Sequence, residues 1–280
     1  MRIEKLDHGE EKVRQHLFAF LRPHEAECLF LTGNLKNRFP GTHLYAARQG
    51  EEWLGVGGYY EEPRAVVLGA AEDAAARELA SELAGRHPDL QSLCAPAGPA
   101  AAACRVLAGM GWDHAEDPRC LLMELDSPPA PQEFEGLVRP IRLGDHVPVV
   151  KLLRQIHNRP PGAPVTEHEL RALLMNPLCL VLDAGSGPVA TAQTNGMGIA
   201  AFQVLGVATD PAHRNRGYAR AVCASLVRTM WGRGARRAVL FTRRDNPAAL
   251  GCYRRIGFRT AGEYWVARLV RGGGRVSTPW

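Results

Sequence analysis

The stretch Asp126-Ser127-Pro128-Pro129-Ala130-Pro131-Gln132 constrains the fold more than any other. Three prolines in four residues fix φ and remove backbone donors, so neither a helix nor a central strand can run through them. The 280-residue chain is thereby cut into portions of similar length, each of which must bury its own apolar faces. The expected organisation is a domain over residues 1–126, a linker over 127–136, a second domain over 137–270 and a flexible glycine-rich tail over 271–280.

The second portion alternates strands with helices. Leu137 to Arg142 is extended, and Asp145 can cap a helix running to about Ile156. Thr166 and Glu169, just before Leu170, Leu173 and Leu174, have the spacing of a capping box. Leu178–Leu182, Val189–Thr194 and Phe202–Thr209 read as strands. Ala219, Val222, Cys223, Leu226, Val227 and Met230 recur at offsets of three and four and form one apolar helix face. A strand at Ala238–Thr242 and a helix opened by Asn246-Pro247 and stopped by Gly257 follow, with terminal strands from Phe258 to Leu269. Interleaving of this kind defines an α/β layer fold.

Charge is concentrated in this portion. Between Arg214 and Arg255 there are eleven arginines and one acid, Asp245, so this window carries +10 while the whole chain carries +5. Such a segment faces something anionic, either a nucleic acid or a polyphosphate. No recognised nucleic-acid motif accompanies it, so nucleic acid is not the expected partner. The seven cysteines have no C-x-x-C spacing and read as small buried hydrophobes rather than a disulfide framework or zinc site; no metal is expected. No run of about 18 apolar residues occurs, and the mixed-charge start Met1-Arg2-Ile3-Glu4-Lys5 lacks a signal core. A cytoplasmic location without membrane association is the expectation.

The charge falls on a junction. A strand ends at Val207-Ala208-Thr209, a proline turn follows, and a helix starts near Gly217. The first N–H groups of a helix have no intrahelical acceptor, and the helix dipole favours negative charge beside them. Such a point suits a diphosphate. Gly217 removes a Cβ where the phosphate would crowd the backbone, Ala219 keeps the next approach narrow, and Arg214, Arg216 and Arg220 add attraction. It is not a P-loop, because no G-x-x-x-x-G-K-[ST] is present.

Arg214-Asn215-Arg216-Gly217-Tyr218-Ala219 fits [QR]-x-x-G-x-[GA], and Asn246, Ala249, Tyr253, Gly257 and Phe258 fit N-x-x-A-x-x-x-Y-x-x-x-G-[FY]. In both pieces, and in their order, the chain resembles the GNAT N-acetyltransferase superfamily. The resemblance implies a mixed, mostly antiparallel sheet flanked by helices, with acetyl-CoA as co-substrate and an amine as acceptor. It implies that Val207, Ala208 and Thr209 pair with the pantetheine arm, and that Arg214, Asn215, Arg216, Gly217, Tyr218, Ala219 and Arg220 hold the diphosphate. Asn246 would hydrogen-bond the arm, and Tyr253 would protonate the departing thiolate, as a phenol of pKa about 10 can do for a thiol near 8.5 when in contact.

A base is not evident. Deprotonating a lysine-like amine at neutral pH costs about 4–5 kcal/mol. Where many members of the family place a glutamate, this chain has Gln203. Water, His157 in the preceding loop, or an acceptor of low intrinsic pKa are the remaining routes. Loss of that carboxylate also leaves open an acetyl-CoA-binding regulator without chemistry.

The first portion echoes the second. Aligning Gly111-Trp112 with Gly257-Phe258 sets Leu107 against Tyr253 and Ala100 against Asn246, and Ala65–Gly69 passes to an alanine-rich helix without a phosphate loop. Residues 1–126 are therefore expected to be a degenerate GNAT-like repeat that no longer binds acetyl-CoA, with an unrelated α/β domain as the alternative.

Overall fold

The computed structural model describes residues 1–114, 117–156, 160, 162–176 and 178–271. Two compact units emerge: the first comprises Met1–Leu122, Phe241–Arg244 and residues 261–271, and the second Met123–Leu240 and Asp245–Thr260.

The first unit opens with β1 (Arg2–Leu6), α1 (Glu11–Leu21), α2 (Leu29–Lys36), β2 (Thr42–Gln49), β3 (Glu52–Tyr60) and β4 (Ala65–Gly69). It continues with α3 (Asp73–Arg86), β5 (Ser92–Pro96), α4 (Ala97–Gly109), β6 (Trp112–His114) and the start of β7 (Arg119–Leu125). β1 to β4 pair antiparallel in sequence order, and β4 runs parallel to β5. One core gathers Leu79, Leu83, Leu93, Leu107 and Trp112 under α3 and α4. Another gathers Leu17, Leu21, Leu31, Leu44 and Tyr60 under α1 and α2.

The second unit is built from β8 (Val138–Pro140), α5 (His146–Ile156), α6 (Glu167–Leu174), β9 (Cys179–Asp183), β10 (Pro188–Met197) and β11 (Ala201–Thr209). Then come α7 (Tyr218–Gly232), β12 (Arg237–Arg243) and α8 (Pro247–Ile256), before the chain enters β13 (Arg259–Arg271). β8 to β11 pair antiparallel, and β11 runs parallel to β12. The apolar face anticipated for α7 forms: Val222, Cys223, Leu226 and Val227 are fully buried. Each such side chain contributes about 1.5–3 kcal/mol of transfer free energy. The Thr166–Glu169 capping box is also present, with Glu169 N–H donating to Thr166 Oγ1 and Thr166 N–H donating to Glu169 Oε2. Asp145 takes a capping-box position in the 3-10 turn Leu143–Asp145 that runs into α5. Its carboxylate accepts the Arg142 N–H and pairs with Arg139, at the turn before α5.

The expected boundary at residue 270 is corrected by β13. Tyr264 to Arg268 pair antiparallel with Pro96 to Ser92, and Leu269 to Arg271 pair with β6. Ala267 and Leu269 belong to the core under α3 and α4, and the Tyr264 ring lies 4.4 Å from that of Phe241. The reason is strand pairing: β13 satisfies the backbone edge of β5, a partner that local sequence cannot specify. The tail beyond Arg271 lies outside the described residues, as does His157.

Candidate active site

The site forms in the second unit where two parallel strands separate. β11 and β12 are paired only at Ala201–Arg237, Phe202–Ala238 and Gln203–Val239. β11 continues six residues beyond the last pair, so its backbone edge on that side is open to a ligand. On its other side it keeps β10, with a register shift: Gln193 faces Leu205 and Thr191 faces Ala208. Gly206 and Val207 thus oppose Ala192 alone, which is a β-bulge. Gly206 has φ +60°, and a Cβ there would lie 2.9 Å from Gln193 Nε2 and 3.0 Å from Leu153 Cδ2. Backbone and space both demand glycine. A lone glycine inside a strand was the sequence signal for this bulge.

Val207, Ala208 and Thr209 follow the bulge. Ala208 and Thr209 pair with Thr191 and Ala190 of β10, and the Thr209 hydroxyl is closed to solvent without a hydrogen-bond partner among the described residues. The turn to α7 begins with Asp210, whose carboxylate accepts the Ala212 N–H at 2.8 Å. Asn215 and Gly217 then both adopt left-handed φ, +63° and +84°. Left-handed residues of this kind are what backbone nests are built from, in which successive N–H groups turn toward one concave point. The first helical bond of α7 is Ala221 N–H to Gly217 O at 3.0 Å. No side chain caps the helix and its first turn has no acid.

The arginines separate into roles. Arg214 turns back: its guanidinium donates to Thr209 O at 3.4 Å and Gln155 Oε1 at 3.5 Å. Arg216 is exposed. Arg220 lies over the turn, with Nη2 3.7 Å from where a Gly217 Cβ would be, and its Nε is buried without a partner among the described residues. Ala219 sits in the first turn. The Tyr218 ring is 5.1 Å from Phe134 and 6.5 Å from His213. Phe134 belongs to the segment read as linker, whose Glu135 is ion-paired with Arg228 of α7. Sequence reasoning missed this strap, because a left-handed Phe134 (φ +68°) has no local signature.

Asn246 caps α8, its Oδ1 accepting the Ala249 N–H at 3.1 Å, which leaves its amide N–H groups as donors. Tyr253 lies one face of α8 inward, its ring 5.9 Å from Phe258. Burial first, then the neighbouring thiols of Cys223 and Cys252, push its phenol well above the ordinary range, so it keeps its proton. Gln203 is buried and its Oε1 accepts from Asn195 Nδ2 at 3.1 Å. Three carboxylates, in the turn before α5, in α6 and in β9, are held by arginines: Asp145 and Asp183 by Arg139, Glu169 by Arg154. Those hydrogen bonds hold all three below the usual carboxylate range, Glu169 at about 2. Among the described residues no group of three His, Cys, Asp or Glu is placed to hold a metal ion, and no helix is long and apolar enough to cross a membrane.

Residues 150–258 match the profile of the acetyltransferase (GNAT) family. The second half of the chain therefore carries a GNAT acetyltransferase domain, a family whose chemistry is acyl transfer. Solved structures agree in fold. A Drosophila protein superposes with a TM-score of 0.69 at 14% identity, covering 95% of this chain and 98% of that one. A GCN5-related N-acetyltransferase from Sphaerobacter thermophilus gives 0.60 at 16% identity over 92% and 96%. A tandem GNAT protein from the clavulanic acid biosynthesis pathway gives 0.57 at 15% identity over 98% and 100%. No curated protein sequence matches.

Proposed function

We propose that the protein is an acetyl-CoA-dependent N-acyltransferase with one working site, in the second unit, acting on a primary amine. The observation that carries this reading is the opening between β11 and β12 leading to the left-handed Asn215–Gly217 turn and the N–H groups of the α7 start, which has no side-chain cap and no acid in its first turn. These donors, with the unpartnered Arg220 Nε, fit a diphosphate.

Acetyl-CoA would supply the acyl group as an activated thioester. The free edge of β11 from Val207 to Thr209 would hold the pantetheine arm and polarise the carbonyl. Asn246 N–H groups would donate to the arm. Tyr253 would hold its proton at Oη until the thiolate departs, then deliver it there. Gln203 cannot take the amine's proton and no arginine-held carboxylate is basic enough to do so. The reading therefore favours an acceptor nitrogen that is already largely neutral at the working pH, or proton loss to water.

We read residues 1–126 as a degenerate repeat of the same fold that has lost its cofactor site, and keep the cytoplasm as the compartment, consistent with the seven free cysteines. The test is thiol release from acetyl-CoA against a panel of alkyl and aromatic amines, with acetyl-CoA affinity measured by calorimetry. Saturable release that depends on an amine supports the enzyme. Tight binding without release for any amine supports the regulator instead, and absence of binding removes both.

A further inference from the structure

Gln193 of β10 is 1% exposed, and its two amide ends are treated unequally. Oε1 accepts a hydrogen bond from Asn176 Nδ2 at 2.6 Å. Nε2 is closed to solvent and has no partner among the described residues. A buried amide donor left unpaired is costly, and a stable core would have exchanged it for an apolar group of the same shape. What Nε2 adjoins is the bulge of β11: the Cβ that Gly206 lacks would sit 2.9 Å from it. Gln193 also stands opposite Leu205, the last residue in register before the bulge. The anchored end therefore fixes the side chain, and the free end abuts the backbone segment that leads into Val207.

We propose, resting on the acyl-transfer reading above, that Gln193 is a positioning residue for the acyl group. Its carboxamide, held by Asn176, sets the β11 bulge so that the Val207 backbone is presented to the thioester carbonyl. Asn176, Gln193 and Gly206 act as one device: the first orients, the second props, and the third leaves room. Gln193 itself does not touch the reacting atoms.

The test uses the full-length protein and acetyl-CoA carrying a carbon-13 carbonyl, and needs no knowledge of the acceptor. Bound to the parent, the labelled thioester should show its carbonyl stretch moved to lower frequency than in water. Gln193→Met keeps length and apolar volume but removes both amide ends. It should bind acetyl-CoA within about twofold of the parent, melt no lower, and lose at least half of the frequency shift. Gln193→Asn with Asn176→Gln, which restores an amide of the same combined reach, should recover part of it. An unchanged shift in Gln193→Met overturns the proposal while leaving the acyltransferase reading intact. Failure of the parent to bind acetyl-CoA overturns both. A melting temperature that falls together with affinity assigns Gln193 to the core alone and also overturns it.

Discussion

The two units contain the same motif and put it to different ends. In each, three antiparallel strands lead to a strand that runs parallel to the next through three residue pairs: 65–67 with 92–94 in the first, 201–203 with 237–239 in the second. In the second unit β11 continues to Thr209, bulges at Gly206 and reaches α7 through eight residues, 210–217. In the first, β4 ends two residues after its last pair, and three residues, 70–72, connect it to α3. That short connection packs onto β3: a Cβ on Gly55 would lie 2.6 Å from Ala71 Cβ. Behind β4, a Cβ on Gly69 would lie 2.6 Å from Cys28 Sγ. Where the second unit has an uncapped, acid-free helix start under arginines, α3 begins with Glu72 and Asp73, which occupy the dipole that a phosphate would use. α4 repeats the contrast: Ala100 and Leu107 are core residues, whereas Asn246 and Tyr253 keep polar groups available. After the parallel pairing, the scaffold is packed shut behind β4 in one unit, whereas β11 runs on past its last pair in the other.

The largest expected effect breaks the open side. Gly217→Glu places a carboxylate in the Asn215–Gly217 turn and a side chain at φ +84°, so acetyl-CoA affinity should fall about 1,000-fold, about 4 kcal/mol by calorimetry. Glu72→Gly at the corresponding start of α3 should change that affinity by less than about twofold. Next, Ala267→Asp puts a charge at a position 0% exposed in the first unit's core. It should cost at least about 3 kcal/mol, seen as lost hydrogen-exchange protection of α3 amides. Equal loss of protection in α7 would show that the units unfold as one.

Tyr253→Phe should lower turnover about 100-fold, about 2.7 kcal/mol, with the acetyl-CoA KM within about twofold. Leu107→Tyr in the first unit should add no activity, since Leu107 is 2% exposed and belongs to the apolar core under α3 and α4. The smallest effect sharpens the closed side. Gly55→Ala should destabilise by about 1–3 kcal/mol, read as a lower urea midpoint at constant m, with acetyl-CoA binding unchanged. A midpoint equal to the parent's would mean that the connection onto β3 is not tightly packed.

Much of the second unit was legible because its signals are local. A capping box, a proline after a capping asparagine, a stop glycine and a helical apolar face each act within about four residues, and each appears where the chain spells it. Gly217 and Asn246 stand at the N-caps of α7 and α8, and Tyr253 lies within α8. Charge composition cannot say which arginine turns back onto Thr209, as Arg214 does. Gln193 and Phe134 were invisible because their meaning lies in partners 13 and 84 residues away, Gly206 and Tyr218.

The sequence by itself determined a strand–turn–helix start that is cationic and free of acids, and a second half built as a GNAT domain around it. Only the tertiary structure decided that the chain's last strand completes the core of its first unit, and that a carboxamide stands behind the bulge. Caps and helix faces depend on near neighbours, which any chain brings together at once. Strand edges and buried amides take whatever partner the finished fold brings beside them, and backbone hydrogen bonding carries no address in the side chains.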